Sequence, residues 1–383
     1  MKSLLFRFAL LSSVTVLLVA LTVGERAHSQ TRRAPQIVTN LTDVVNAIQF
    51  SSDGRTIAIA RGTRDDHRVE LWDANSGKLQ RTIRGFDGNV WSVSFSPDGR
   101  TLVTASVGVH REKIAEKPTS QRGRGFNELK WWDPQTGDLK QRVEFPGEEL
   151  FSLAAQYSPD GRLLATIENR LSTGFTNDIP PGLRGILPDS VLQTRSAFFE
   201  AQLKLVDART GEVRLKLKGG FNNGQFPIYS YPRQDDLISA LRANRRLRPP
   251  VFSPNGELLA AWKSDELRLW HTATGAEVLK IKKFAGRLVA VAFSPDGRLI
   301  AGAITKSTFK ARQLEFKSEI QVWEVATGNP TQGFPLNTHS VSNIEFANNG
   351  RQLLVGGLQF EQDRSYASME LADLQTGSLG KIV

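Results

Sequence analysis

The 383-residue chain has no cysteine, only two methionines and only four tyrosines. The missing cysteine excludes a disulfide framework, a thiolate metal site and a cysteine nucleophile, and leaves the redox compartment open. The five histidines, one of them at position 28, show no metal-ligand spacing. No G-x-S-x-G stretch occurs, so the sequence shows no nucleophile elbow. After Val23 no apolar run approaches 18 residues; a helical membrane span needs about 20. The lack of acid relative to base leaves a formal charge of +10, which speaks of partners and not of fold.

The first 29 residues stand apart. Lys2 and Arg7 precede an apolar run from Phe8 to Val23, and Ala27 and Ser29 offer small residues before Gln30. A basic start, an apolar middle and a small-residue end make a secretory signal peptide, so an exported chain is expected, periplasmic or secreted. Retention of the same segment as an N-terminal membrane anchor is the alternative. Residues 30–383 are read as one domain.

Repetition dominates that domain. FSPDGR occurs at 95–100 and again at 293–298, with near copies FSSDGR from Phe50, YSPDGR from Tyr157, FSPNGE from Phe252 and FANNGR from Phe346. Before the turn come alternating runs such as Val90–Phe95 and Leu288–Phe293, and apolar runs such as TIAIA, TLVTA and LIAGA follow it. Period two means strand, and Asp-Gly or Asn-Gly between two such runs is a tight hairpin. The alternation predicts Trp91, Val93 and Phe95 on one face of their strand, and likewise Val289, Val291 and Phe293. A third strand and a second turn recur: VELWDANSG (69–77), LKWWDPQTG (129–137), LKLVDARTG (203–211), LRLWHTATG (267–275), IQVWEVATG (320–328) and MELADLQTG (369–377). A fourth strand follows. Six units of four antiparallel strands predict an all-β propeller.

These units resemble WD40 repeats. The resemblance rests on the SPDG turn, on the pairs Trp72-Asp73 and Trp132-Asp133, and on spacings of 45 residues between the first two turns and 41 between the fourth and fifth. It covers nearly all of 36–383 and implies a WD40-like propeller with six blades. Seven is the alternative, because the third and fourth turns lie 95 residues apart. The sequence departs from the family pattern: no Gly-His pair opens the repeats, and Trp-Asp becomes Val206-Asp207, Trp270-His271, Trp323-Glu324 and Ala372-Asp373. QIVTN at 36–40 and GSLGKIV at the C-terminus compete for the outer edge of the last blade. The resemblance fixes no function, because one fold serves unrelated tasks.

An antiparallel meander puts the SPDG and TG turns on one face. The opposite face receives the loops between second and third strands and the links between blades. Four insertions fall there: 107–126, 169–199, 218–247 and 306–317. Their net charges are +3, +1, +3 and +3, and residues 30–383 carry +8 in all, so everything outside the insertions sums to −2. The candidate partner-binding residues follow from this division. Arg111, Lys113, Arg122 and Arg124 lie in the first insertion. Phe226, Tyr229 and Tyr231 gather between prolines, and 235–248 reads as a short helix carrying Arg242, Arg245 and Arg246. Lys306, Lys310 and Arg312 lie in the last insertion. Cations and aromatics of this kind suit a partner interface. They serve equally as a solvated helix end and as anchors for their own loops.

Asp53, Asp98, Asp160 and Asp296 are read as turn residues and not as a calcium ring. The turn spacing of sugar-cleaving propellers is absent, because Gly54 follows Asp53 directly. The tryptophan that quinone-dependent propellers place after their TG turn is also absent. The expectation is a monomeric, non-catalytic binding protein of the cell envelope or exterior, without cofactor or metal. It presents its basic face to a protein partner. An anionic envelope polymer or lipid surface is the rival partner, and an enzyme with its site at the channel mouth is the rival class. Export argues against nucleic acid.

Overall fold

The computed structural model describes residues 44–62, 66–109, 125–146, 150–175, 195–217, 221–227, 249–263, 265–282, 284–310, 313–347, 350–361 and 364–381. They form six antiparallel sheets, each built from consecutive strands. Blade I contains β1 (Val44–Phe50), β2 (Thr56–Gly62), β3 (His67–Asp73) and β4 (Leu79–Ile83). Blade II contains β5 (Val90–Phe95), β6 (Leu102–Val109), β7 (Gly125–Trp132) and β8 (Leu139–Pro146). Blade III contains β9 (Leu150–Tyr157), β10 (Leu163–Phe175), β11 (Arg195–Asp207), β12 (Val213–Lys216) and a fifth strand, β13 (Phe221–Pro227). Blade IV contains β14 (Val251–Phe252), β15 (Leu258–Lys263), β16 (Glu266–His271) and β17 (Glu277–Lys282). Blade V contains β18 (Arg287–Phe293), β19 (Leu299–Lys310), β20 (Gln313–Glu324) and β21 (Pro330–Leu336). Blade VI contains β22 (Ser340–Phe346), β23 (Gln352–Glu361), β24 (Arg364–Asp373) and β25 (Leu379–Lys381).

The repeated turns are built alike, and their chemistry explains the repeated spelling. In FSPDGR at 95–100, the Ser96 hydroxyl donates to Asp98 Oδ1 and accepts from the Thr101 amide at 3.0 Å, while the Arg100 amide donates to the same carboxylate at 3.0 Å. Gly99 sits at φ +69°, a left-handed conformation that suits glycine. Ser294 and Asp296 repeat the arrangement, and in blade IV Asn255 does the work of the aspartate. The second turn uses the aspartate of Trp-Asp in the same way: Asp73 Oδ1 accepts from the amides of Asn75 and Ser76. Each carboxylate is held below its ordinary pKa by these donors, the Ser51 hydroxyl foremost for Asp53 and the Ser96 hydroxyl for Asp98. The aspartates thus belong each to its own turn.

The core lies between blades. Each of five apolar clusters joins two successive blades, from Ala58, Leu71, Phe95 and Trp132 between I and II to Ala301, Val322, Leu353 and Ala372 between V and VI. The position of the motif tryptophan plugs these interfaces: Trp132, Val206, Trp270, Trp323 and Ala372 are all buried. Blade I differs. Its Ile48, Phe50 and Trp72 are only half-buried, and their cluster includes no described residue of blade VI. The outer edge of blade VI is occupied by β25, which pairs with β24 through Leu379, Gly380 and Lys381. The C-terminal segment therefore takes part of the contested edge; QIVTN lies outside the described residues.

One expectation of simple alternation is corrected. A bulge between Leu288 and Ala290 shifts the register of β18. Val291 and Phe293 pack towards blade IV, while Val289 packs against the V–VI core. A matching bulge between Val90 and Ser92 falls at Trp91, so that residue does not continue the row of Val93 and Phe95. An extra residue in one strand reverses the facing of every side chain before it.

Candidate functional site

Where the insertions expected as loops fall among the described residues, they are strand. β10 and β11 pair without interruption from Leu163↔Asp207 to Phe175↔Arg195, so 169–175 and 195–199 are a two-stranded ribbon. β13 pairs with the far end of β11, Ala197 opposite Phe226, beyond the reach of β12. Part of 218–247 is thus a fifth strand and not a loop. β19 and β20 pair down to Lys310↔Gln313, leaving 311–312 between them. A pair of facing strands satisfies its own backbone groups, so a ribbon can project from the disc where a loop would need other partners. The described extensions of β10, β11, β19 and β20 lie at the ends of second and third strands, and β13 pairs beside the extended end of β11. Blade VI carries a similar ribbon, pairing down to Glu361↔Arg364. The sequence reading missed it. Its signal is continued alternation past Gly357, without the composition change that marks the other insertions.

The candidate residues divide accordingly. Lys306 is exposed on β19 and faces Lys317 of β20, also exposed, as a direct cross-strand pair. Lys310 lies in β19 opposite Gln313, and Phe226 lies in β13. Arg111, Lys113, Arg122, Arg124, Tyr229, Tyr231, Arg242, Arg245, Arg246 and Arg312 lie outside the described residues, as does the segment 235–248.

Other charges near this face are committed to the structure. Glu70 binds Arg61, Arg68 at 2.9 Å and the Trp72 indole N–H at 3.1 Å. Glu128 binds Lys130 at 2.9 Å, Arg142 at 3.0 Å and the Ser106 hydroxyl at 2.7 Å. Glu168 pairs with Lys204 at 2.7 Å, and Glu266 meets Arg268 and Lys280. Glu370 accepts from the Thr338 hydroxyl at 2.8 Å. Buried acids so supplied with donors are framework, and removing one partner of such a pair is strongly destabilising. Among the described residues no three His, Cys, Asp or Glu side chains converge as metal ligands would.

The second feature is the central channel, a cavity of about 640 Å³ lined by the inner strands and by Trp262. Pro97, Pro159, Pro254 and Pro295 ring its short-turn end. Among the described lining residues the one carboxylate is Glu345 of β22. Its side chain is open to the channel, yet the walls strip away hydration and raise its pKa. Burial likewise raises Tyr157 far above an ordinary phenol.

Six radial sheets around a channel define a β-propeller. The WD domain, G-beta repeat family matches residues 36–73 and 77–108. The uncharacterized WD repeat-containing protein sll1491 of Synechocystis sp. is 37% identical over 67 residues, covering 18% of this chain and 19% of the relative. The WD repeat-containing protein 26 homolog of Arabidopsis thaliana is 20% identical over 345 residues, covering 80% of this chain and 55% of the relative. The WD repeat-containing protein SL1-17 of Schistosoma mansoni is 25% identical over 175 residues, 45% of this chain and 50% of its own. The chain thus spans 19% to 55% of the length of these curated relatives. A chain in the crystal structure of the mitotic checkpoint complex shares the fold, with a TM-score of 0.50 and 16% identity over 83% of this chain and 73% of its own. The protein is a six-bladed β-propeller, and residues 36–73 and 77–108 are similar to WD40 repeats. WD40 propellers generally act as protein-interaction scaffolds and typically carry no chemistry of their own.

Proposed function

We propose that this chain is an exported, non-catalytic binding scaffold whose ribbon-bearing basic face receives an acidic protein partner. The observation that carries the reading is the Lys306–Lys317 pair, two exposed like charges set opposite each other on a projecting ribbon. Like charges placed so are unfavourable within the chain. A partner carboxylate would relieve them, and complementary charge speeds and orients encounter. Export rests on the basic-apolar-small order of residues 1–29. The position of the basic insertions and the aromatic cluster at 226–231 adds to the reading, because function gathers on loops carried by a rigid scaffold.

The test is amine crosslinking of the full chain in an envelope extract, with crosslinked sites identified by mass spectrometry. Partner crosslinks at Lys306 and Lys317, lost in the Lys306→Gln/Lys317→Gln variant, support the reading. Lys78, exposed on the opposite face, serves as the comparison. Crosslinks concentrated at Lys78 would assign the wrong face. Retention on anionic polymer or anionic vesicles with no crosslinked protein would favour the rival partner. Turnover of a substrate would move the function to the channel mouth.

A further inference from the structure

In each blade the residue before the last aromatic of the inner strand takes an equivalent place: Gln49, Ser94, Gln156, Val251, Ala292 and Glu345. In the first blades this side chain ties its blade to the next. Gln49 Oε1 accepts from the Phe95 amide at 2.8 Å, and Ser94 Oγ accepts from the Tyr157 amide at 3.1 Å. Two residues earlier, Ser92 Oγ accepts from the Ala155 amide at 2.8 Å. In blades IV and V the place is apolar and asks for no partner. Blade VI puts Glu345 there, with Asn343 two residues earlier on the same face of β22. Both line the channel and both are exposed to it. Among the described residues neither side chain makes a hydrogen bond or an ion pair.

A carboxylate and an amide oxygen thus stand about 7 Å apart along one strand, in a cavity whose other described lining side chains are mostly proline, aromatic and aliphatic, with Gln156 and Ser158 besides. Among the described residues no lysine or arginine lines that cavity, so none of them neutralises the acid and an anionic ligand would be repelled. A single carboxylate is too few ligands for a divalent metal. A monovalent organic cation meets every requirement. It supplies the missing charge, its N–H groups reach the carboxylate, and its alkyl stem lies against proline and aromatic walls. Trp262, which lines the same cavity, adds a side chain whose ring attracts cations.

We infer that the central channel is a binding site for a guanidinium or ammonium group, with Glu345 as its anchor and Asn343 beside it. This inference does not depend on the basic face, which lies at the ends of other strands. The group can come from a free small cation or from an arginine or lysine side chain of a partner.

The experiment titrates the full chain with n-butylguanidinium and n-butylammonium by calorimetry and by tryptophan fluorescence. The neutral isostere n-butylurea is the control. A second arm uses the peptide Gly-Gly-Arg-Gly-Gly and its citrulline counterpart. The expected result is saturable one-to-one binding of the cations and none of the neutral analogues. Glu345→Gln should weaken binding by about tenfold or more, one decade in Kd, while Glu345→Asp keeps part of it. The melting temperature of each variant is recorded, so lost binding cannot be confused with unfolding. Peptide binding tighter than butylguanidinium would identify a partner side chain as the source of the group. The reverse order would identify a small free cation. Equal binding of butylurea, undiminished binding by a folded Glu345→Gln variant, or no saturable binding of any cation overturns the inference.

Discussion

Lys306 and Lys317 stand directly opposite each other where β19 and β20 leave the disc, and among the described residues neither has a carboxylate in ion-pair range. Opposed like charges on neighbouring strands cost stability, and opposite charges there contribute about 0.2–1 kcal/mol. Lys317→Glu should therefore raise the melting temperature at low salt. Added salt should raise the wild type more than the variant, because screening relieves repulsion in one and weakens attraction in the other. Partner binding should fall at the same time. A variant that melts lower than wild type would show that the lysines are held apart by packing not accounted for by their pairing.

The turn aspartates predict an acid limb with a known sign. Asp296 is held below its ordinary pKa chiefly by the Ser294 hydroxyl and then by the Arg298 amide. Its folded pKa is depressed, so it contributes stability above the unfolded value, and that contribution is lost as pH falls through the folded one. Asp53, Asp98 and Asp160 shift the same way. Denaturation midpoints should fall below about pH 4. In blade IV, Asn255 makes the same turn without titrating: it accepts from the Ser253 hydroxyl at 2.7 Å and from the Glu257 amide at 3.1 Å. Asp296→Asn should therefore fold, cost no more than about 1 kcal/mol at pH 7, and flatten the acid limb. An unchanged slope between pH 5 and 2 would remove this turn from the acid response.

The blades were legible because their turns are short-range chemistry. Serine, aspartate and glycine in FSPDGR bond to one another within six residues, so the sequence alone specifies hairpin and phase. The alternation of Val291 and Phe293 was legible for the same reason, but the bulge at Val289 was not. A bulge depends on how β18 meets β19, and no residue type announces it. The insertions were found by length and charge, but their described parts are strand where loop was expected. RLSTGF and RSAFF read as inserted sequence because their strand character appears only when the two are placed face to face. Glu345 was passed over for a different reason. In FANNGR it precedes the most divergent turn, and a channel exists only once six inner strands are brought round an axis.

Plugging residues between blades should differ in weight according to whether a neighbour covers them. Trp270 is fully buried between blades III and IV. Trp270→Ala should cost about 3–5 kcal/mol, the usual range for a large buried aromatic. Trp72 holds the equivalent place in blade I but is half-buried, with its indole N–H on Glu70. Its removal should cost about 1–2 kcal/mol. Urea midpoints of the two variants, measured side by side, give the order. Equal losses would mean that the outward face of blade I is as tightly covered as an internal interface.

Glu345 gives the pH dependence of opposite sign. Loss of hydration in the channel raises its folded pKa above the unfolded value. An acid so shifted favours the folded state at low pH, where it is neutral, and disfavours it once pH exceeds the folded pKa and the poorly hydrated charge forms. Glutamine keeps the shape and cannot ionise. Glu345→Gln should therefore melt above wild type at pH 7 to 8, and the difference should shrink to nothing as pH falls below the ordinary glutamate pKa, about 4.3. The turn aspartates act in the opposite direction over the acid range, but they are common to both proteins and cancel in the difference. Saturating n-butylguanidinium should then reverse the order at pH 7 to 8, because bound cation stabilises the ionised wild type and not the glutamine variant. A glutamine variant that melts below wild type without ligand would show that the carboxylate already has a stabilising partner in the channel.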